Sequence, residues 1–345
     1  MARFRRIATT SLGYGSPFGE DGTALERDLV VRYIERAGAL GVDILLFQEE
    51  YTFVKYSPDA NPKRRWFSPT TLDTRQARST KMQDVWMTLD HPYVARVREA
   101  AKKANVNVIL PLMEKDGGLM YNSLVPVTAS GELLRPYRKM FPVGGGSVEG
   151  ECPGDNNEAQ MIAGIPVSFA ICFDAHFDEV FDTARASGAK LVLWSSMWMG
   201  GIWLQAQAIR NGLYIVSSTP QGVTFVDMDG TVISESHCVW PQAIGDNVLV
   251  FEDLNFDRDI FHCELDRQLD AVREKYGSRV HMRNRSQDSI VVLETLDPDL
   301  SLDTVKKEFG LATWYEYIRW SRSARNRALG QVKGHLAGKG ASGQC

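Results

Sequence analysis

The chain has 345 residues, with 39 Lys and Arg against 43 Asp and Glu, a formal net charge of -4, 44% hydrophobic residues and 24% charged ones. This is globular usage, and it excludes a disordered or collagen-like chain. The slightly acidic balance provides no basic footprint for nucleic acid or an anionic membrane surface.

Ile7 to Leu12 reads as a first strand. Thr23 with Glu26 three residues on has the form of a capping box, and Leu29, Val30, Tyr33, Ile34, Ala37 and Leu40 continue at helical spacing until Gly41. Val42 to Phe47 is a nearly continuous apolar run, the mark of a strand covered on both faces. Val54 to Trp86 is polar and Pro-containing, carries the Lys63-Arg64-Arg65-Trp66-Phe67 cluster, and reads as a long surface loop. A second helix opens near Asp90 and Pro92. It leads into a strand at Val106 to Met113, where Pro111 indicates an edge or a bulge.

Hairpins are expected at Ser123 to Tyr137 and around Asp229-Gly230. Between them the periodicity alternates strand (Ile165 to Phe173), helix (Glu179 to Ser187), strand (Leu191 to Ser195), helix (Trp203 to Asn211) and strand (Leu213 to Ser217). A strand at Val248 to Phe251, a long helix near Asp257 to Tyr276 and a strand at Ile290 to Leu293 follow. This succession predicts an α/β fold with mixed sheets covered by helices. From Asp297 the chain turns helical, aromatic and then basic, so residues 297–345 are read as an extension following a main domain of 1–296. Trp314, Tyr317 and Ile318 share a helix face that suits either docking on their own domain or a grip on another subunit.

No run of eighteen apolar residues is present, and the opening MARFRRIATTSLGYG has no apolar stretch of signal-peptide length, so no membrane span or leader is expected. The five cysteines, Cys152, Cys172, Cys238, Cys263 and Cys345, are odd in number and irregularly spaced, which argues against a disulfide framework and for a cytoplasmic setting.

Four positions stand out chemically. Cys172 lies where an apolar strand gives way to a polar turn, the place where ligands gather in open α/β sheets; the alternative is a thiol that only fills space. A base is needed to activate it. The choice lies between a histidine, with His176 nearest in sequence and His237 and His262 elsewhere, and a carboxylate at Glu49 or Glu50, directly after the buried run VDILLFQ. Lys139 follows a hairpin and suits an oxyanion partner, or else a surface lysine. The stretch VGGGSVEGECPGD lacks the endings of a phosphate loop and of a nucleophile elbow, and it carries Glu149. The pairs His237-Cys238 and His262-Cys263 lack the usual spacing of zinc ligands, so no metal is expected.

The order of these signals resembles the nitrilase superfamily of carbon–nitrogen hydrolases, in which Glu, Lys, a second Glu and Cys occur in that sequence. DILLFQE is similar to the first motif and points to Glu49 rather than Glu50. YNSLVPVTASGELLRPYRK resembles the second and points to Lys139. VEGECPGD is similar to the form found in aliphatic amidases and points to Glu149, and GIPVSFAICFDAHFDE resembles the nucleophile motif and points to Cys172, with Asp174 and Glu179 as supports. Departures are Gln48 and Asp178, where the motifs usually have proline, and Arg210, where an acid often precedes Asn211.

The resemblance implies a four-layer αββα sandwich and a homo-oligomer of two or more subunits. It also implies a cofactor-free hydrolase that cleaves a small amide through a cysteine thioester and releases ammonia. Tyr51, Phe173, His176 and Trp198 are the expected substrate contacts. Phe173-Asp174, where nitrilases commonly have Trp-Glu, favours amides. An N-carbamoyl amino acid amidohydrolase is the runner-up, with Arg64, Arg65 or Arg210 to hold a carboxylate; a nitrilase and a non-catalytic scaffold follow.

Overall fold

The computed structural model describes residues 3–12, 19–49, 86–146, 151–237 and 248–340. They fall into two compact units, Met1–Phe256 and Asp257–Cys345. Residues 257–296, which the sequence reading grouped with the main domain, thus go with the C-terminal helices.

The first unit contains two six-stranded mixed sheets. In chain order the first sheet uses β1 (Phe4–Ser11), β2 (Ile44–Leu46), β3 (Asn107–Asp116), β4 (Leu119–Val127), β5 (Tyr137–Arg138) and β12 (Val248–Asn255), arranged β12-β1-β2-β3-β4-β5. The second uses β6 (Gln160–Ile162), β7 (Ile165–Ile171), β8 (Leu191–Ser195), β9 (Tyr214–Ser218), β10 (Gly222–Val226) and β11 (Val232–His237), arranged β11-β10-β9-β8-β7-β6. Each sheet has three adjacent parallel strands at its centre: β1, β2 and β3 in one, and β7, β8 and β9 in the other.

Helices α1 (Gly19–Ala39) and α2 (Pro92–Ala104) cover the first sheet, and α3 (Asp178–Ala186) and α4 (Ile202–Asn211) cover the second. Alternation decides which residues face them. Ala8, Leu45, Phe47, Val108 and Leu110 pack with Val30, Ile34, Val94 and Val97 on the outer side of one sheet. On the other, Ala170, Val192, Trp194 and Ile215 pack with Val180, Phe181, Leu204 and Ala208. The intervening residues point inward, where hydroxyl groups cross between the sheets. Thr9 Oγ1 donates to Ser217 O at 2.8 Å, Ser11 Oγ to Pro220 O at 3.1 Å, and Ser195 Oγ to Phe47 O at 2.8 Å. Buried hydroxyls are tolerated here because each finds a carbonyl.

Several expectations need revision. Helix α1 is described from Gly19, so Thr23 and Glu26 lie within its span rather than at its start. Strand β3 is interior, between β2 and β4, and Pro111 is accommodated because β2 pairs only as far as Ile109. β4 forms its main hairpin with β3 across Gly117-Gly118, and its pairing with β5 is short.

In the second unit, the segment expected as one helix from Asp257 holds strand β13 (Arg258–His262) before α5 (Asp266–Tyr276) begins. β13 joins β14 (Val280–Arg285) and β15 (Ile290–Thr295) in a sheet ordered β13-β15-β14. β13 is only five residues long and is followed almost at once by α5, so its short alternation is hard to separate from the helical period. Helices α6 (Leu302–Phe309) and α7 (Trp314–Gly340) follow. Trp314 stacks on His262 and Tyr317 packs against it at a tilt, with centroids 5.6 and 4.8 Å away, so this aromatic face docks on its own unit. His262 is thereby accounted for, and its Nδ1 also accepts the Glu264 N–H at 3.2 Å.

Candidate active site

Glu49 lies three residues beyond β2, and Lys139 immediately follows β5. Both are buried, each 2% exposed. Lys139 Nζ lies 2.9 Å from Glu49 Oε1. The same oxygen accepts from Asn122 Nδ2 at 2.9 Å, and Oε2 accepts the Met197 N–H at 3.0 Å. The acid from the first sheet is therefore tied both to its own sheet and to the loop after β8 of the second. Gln48, in place of the usual proline, performs a related task, since its Oε1 accepts the Leu12 N–H at 2.8 Å and links the ends of β1 and β2.

Cys172 directly follows β7. Its φ of 48° lies in the left-handed region, uncommon for a residue with a Cβ and usually found where a turn must aim a side chain. The turn is held from several directions. The wholly buried Asp174 accepts the Ile171 N–H at 2.9 Å, the Phe141 N–H at 2.8 Å and the Tyr137 O–H at 2.6 Å. Trp194 Nε1–H donates to Cys172 O at 3.1 Å. Through Tyr137 and Phe141, Asp174 also links the nucleophile turn to the strand that presents Lys139.

Electrostatics complete the grouping. Burial and the Glu49 charge push the Cys172 thiol up to about 12, while Lys139, the Ser196 hydroxyl and the Met197 N–H act in the opposite direction. At neutral pH such a thiol keeps its proton, and it would need a base to become a nucleophile. Burial likewise raises the Asp174 carboxyl to about 6, against the hydrogen bonds it accepts.

The residues that follow Glu149 in the chain, from Glu151 on, bond to the end of β5 and to β4. Gly154 N–H donates to Lys139 O at 2.8 Å, and Cys152 N–H to Met120 O at 2.7 Å. A Cβ on Gly154 would lie 2.2 Å from Arg138 O, which explains a glycine there. Arg138 is itself clamped on buried Glu114, with Nε 3.0 Å from one carboxylate oxygen and Nη2 2.6 Å from the other, and Glu114 also accepts from Ser123 Oγ at 2.6 Å.

The structure therefore brings together Glu49, Lys139 and Cys172. Glu149 and Tyr51 lie outside the described residues, as do Arg64 and Arg65. Of the two expected supports, Asp174 acts as one, whereas Glu179 is exposed in the first turn of α3. His176 is exposed and stacks on Trp198, centroids 5.2 Å apart, with the edge of Trp203 at 4.7 Å and Phe173 at 5.2 Å. Among the described residues the group that interacts with the Cys172 thiol as a neighbouring charge is the Glu49 side chain, with Lys139 beside it.

Asp178 and Arg210, two of the sequence departures, form a pair at 2.6 Å. Asn122, Tyr137, Trp194 and Ser196 were not singled out from the sequence. A polar Asn-Ser inside the apolar run of β4 and Ser195-Ser196 closing β8 were the available signals.

A family model described as carbon–nitrogen hydrolase matches residues 26–241. The chain belongs to this family. A cyanide hydratase of Armillaria gallica is 32% identical over 113 residues, covering 32% of this chain and 29% of that protein. A formamidase of Bacillus cereus (strain B4264) is 24% identical over 255 residues, covering 66% and 70%. The matches span less than a third of the length of the cyanide hydratase and of a Rhodococcus rhodochrous aliphatic nitrilase, at 29% and 20%.

Among solved structures, a double mutant of the amidase from Nesterenkonia sp. AN1 in complex with acrylamide superimposes with a TM-score of 0.56 at 20% identity, covering 72% of this chain and 90% of that one. A single mutant of the same amidase, with the acetamide moiety of fluoroacetamide added covalently at its active-site cysteine, gives 0.55 at 20% identity over 73% and 90%. These neighbours share the αββα sandwich expected from the sequence, and the resemblance to the nitrilase superfamily is borne out.

Proposed function

We propose that this protein is an amidase-type carbon–nitrogen hydrolase that cleaves a small amide through a thioester on Cys172 and releases ammonia. The observation that carries the reading is the buried Glu49–Lys139 pair at 2.9 Å beside a half-buried, neutral Cys172 thiol. Glu49 accepts the thiol proton as sulfur attacks the carbonyl carbon. Lys139 and the Phe173 N–H stabilise the oxyanion, and one such donor is typically worth about 3 kcal/mol. As the C–N bond breaks, Glu49 returns the proton to the departing amine. Water then gives a proton to Glu49 as its oxygen attacks the thioester carbon, the C–S bond breaks, and Glu49 passes that proton to the departing Cys172 sulfur, with Glu149 placing the water. Neither a metal nor an organic cofactor enters the scheme.

Phe173, His176 and Trp198 form an aromatic wall against which the acyl group rests, and Tyr51 is read as a further substrate contact. The reading includes a homo-oligomer acting in the cytoplasm, which sedimentation and cell fractionation test. The commitment of Arg210 to Asp178 favours a plain amide over a carbamoyl amino acid, since it occupies one of the arginines named above as a partner for a substrate carboxylate. Nitrile hydrolysis is the second reading. It is favoured by the 32% and 34% identity of the short matches to Armillaria gallica cyanide hydratase and Rhodococcus rhodochrous aliphatic nitrilase.

A panel of short amides, carbamoyl amino acids and nitriles, scored for ammonia release by the wild type and by Cys172→Ala, tests the proposal. Release from an amide by the wild type alone is expected. Release from nitriles alone moves the assignment to the second reading. Equal release by Cys172→Ala, or none by either with Cys172 no more reactive than Cys152 and Cys263, overturns it in favour of a non-catalytic scaffold.

A further inference from the structure

The two oxygens of Glu49 are held differently. Among the described residues, Oε1 accepts from both Lys139 Nζ and Asn122 Nδ2, each at 2.9 Å, whereas Oε2 accepts the Met197 N–H alone, at 3.0 Å. A carboxylate oxygen offers two in-plane lone pairs, so Oε1 is filled and Oε2 retains one acceptor site. Asn122 is buried on β4, and its own carbonyl accepts the Lys139 N–H at 2.8 Å. A single residue thus sets the backbone of the amine and the side chain of the acid. On the other oxygen, Met197 is steadied by Gln221, whose Nε2 donates to Met197 O at 3.0 Å.

We propose that Asn122 is a positioning residue for the proton transfer. With Lys139 it occupies Oε1 of Glu49 and leaves Oε2 as the oxygen that takes the Cys172 proton. The inference rests on the reading of Glu49 as the base. In the step, the S–H bond breaks and an O–H bond forms at Oε2. The sulfur pair forms the C–S bond, and the carbonyl π pair moves onto oxygen. Among the described residues, the titratable groups facing Glu49 are Lys139 beside β5 and Cys172 in the turn after β7. β4 and the loop after β8 present the neutral donors Asn122 and Met197. Removing a donor from a carboxylate makes it hold a proton more tightly.

The test is the pH dependence of Cys172 alkylation by iodoacetamide, followed by peptide mass mapping, which needs no knowledge of the substrate. Glu49→Gln is expected to lose the acid limb of the profile. Asn122→Leu is expected to move that limb up by about one pH unit. Asn122→Asp, which preserves shape and adds a second carboxylate, should move it further in the same direction. Thermal melts identify any variant that fails to fold, and Asn122→Asp serves if Asn122→Leu does. A limb that stays in place while the rate falls equally at every pH overturns the proposal and leaves Asn122 a structural residue. A wild-type limb in Glu49→Gln overturns the underlying assignment of the base.

Discussion

Glu49 and Cys172 occupy corresponding places, each just past a central parallel strand of one six-stranded sheet, yet they are held by opposite means. The acid is fixed through its side chain, by Lys139, Asn122 and the Met197 N–H, which come from both sheets. The thiol is aimed through its backbone, by a positive φ that Asp174 and Trp194 maintain around it. The difference follows from chemistry. A carboxylate that must take and return a proton needs a defined electrostatic setting, whereas a nucleophile needs a trajectory and room for the carbonyl. Damage on the acid side should therefore appear as altered charge behaviour, and damage on the thiol side as altered geometry.

The largest effect is expected on the acid side. Lys139→Met leaves the Glu49 carboxylate buried without its ion partner, which costs about 3–5 kcal/mol in comparable cases. Urea unfolding should show a loss of this size, together with loss of ammonia release. A loss below about 1 kcal/mol would mean that Asn122 and Met197 suffice to hold the carboxylate.

On the geometric side, Gly154→Ala places a methyl group 2.2 Å from Arg138 O, next to Lys139. Displacement of β5 should destabilise the protein by about 1–3 kcal/mol and lower kcat more than KM. Unchanged kcat would show that β5 tolerates the shift.

The turn around Cys172 has its own pH signature. Asp174 rises from 3.8 to about 6 in the folded protein, which corresponds to about 3 kcal/mol. Because the folded value is the higher one, this contribution is fully present below the unfolded value and is lost as pH rises to about 6. Asp174→Asn should flatten the stability curve between about pH 4 and 6. A curve parallel to that of the wild type would show that the three donors to Asp174 outweigh its burial.

The smallest effect is expected at the Asp178–Arg210 pair, which is about half exposed on both sides. Arg210→Ala should change stability by less than about 1 kcal/mol and leave ammonia release from a plain amide unaltered. A marked rise in KM would place Arg210 at the substrate after all.

The layered fold was legible in the sequence because strands buried on both faces read as continuous apolar runs. The grouping of Glu49, Lys139 and Cys172 was implied by the order of four motifs resembling the nitrilase superfamily, since each of the three residues alone also suited a structural or surface role. The donors to Glu49 were less visible because a buried Asn in a strand has no periodic signature; its partner lies 73 residues away in the chain. The Met197 contribution is a backbone N–H, which any residue type supplies. In the second unit, β13 is five residues long and adjoins the α5 helix through the short turn Cys263–Leu265, so a windowed reading merged them into one helix. The Asp178–Arg210 pairing shows the reverse: two departures that looked unrelated in sequence are one contact in space.

The most direct test of the account is acid quenching during turnover of the best short amide, followed by mass mapping of the Cys172 peptide. The account predicts an acyl group on Cys172 that hydroxylamine discharges, and its absence from Cys152 and Cys263. Ammonia released at full rate with the Cys172 peptide unmodified at every quench time, and released equally by Cys172→Ala, would contradict it.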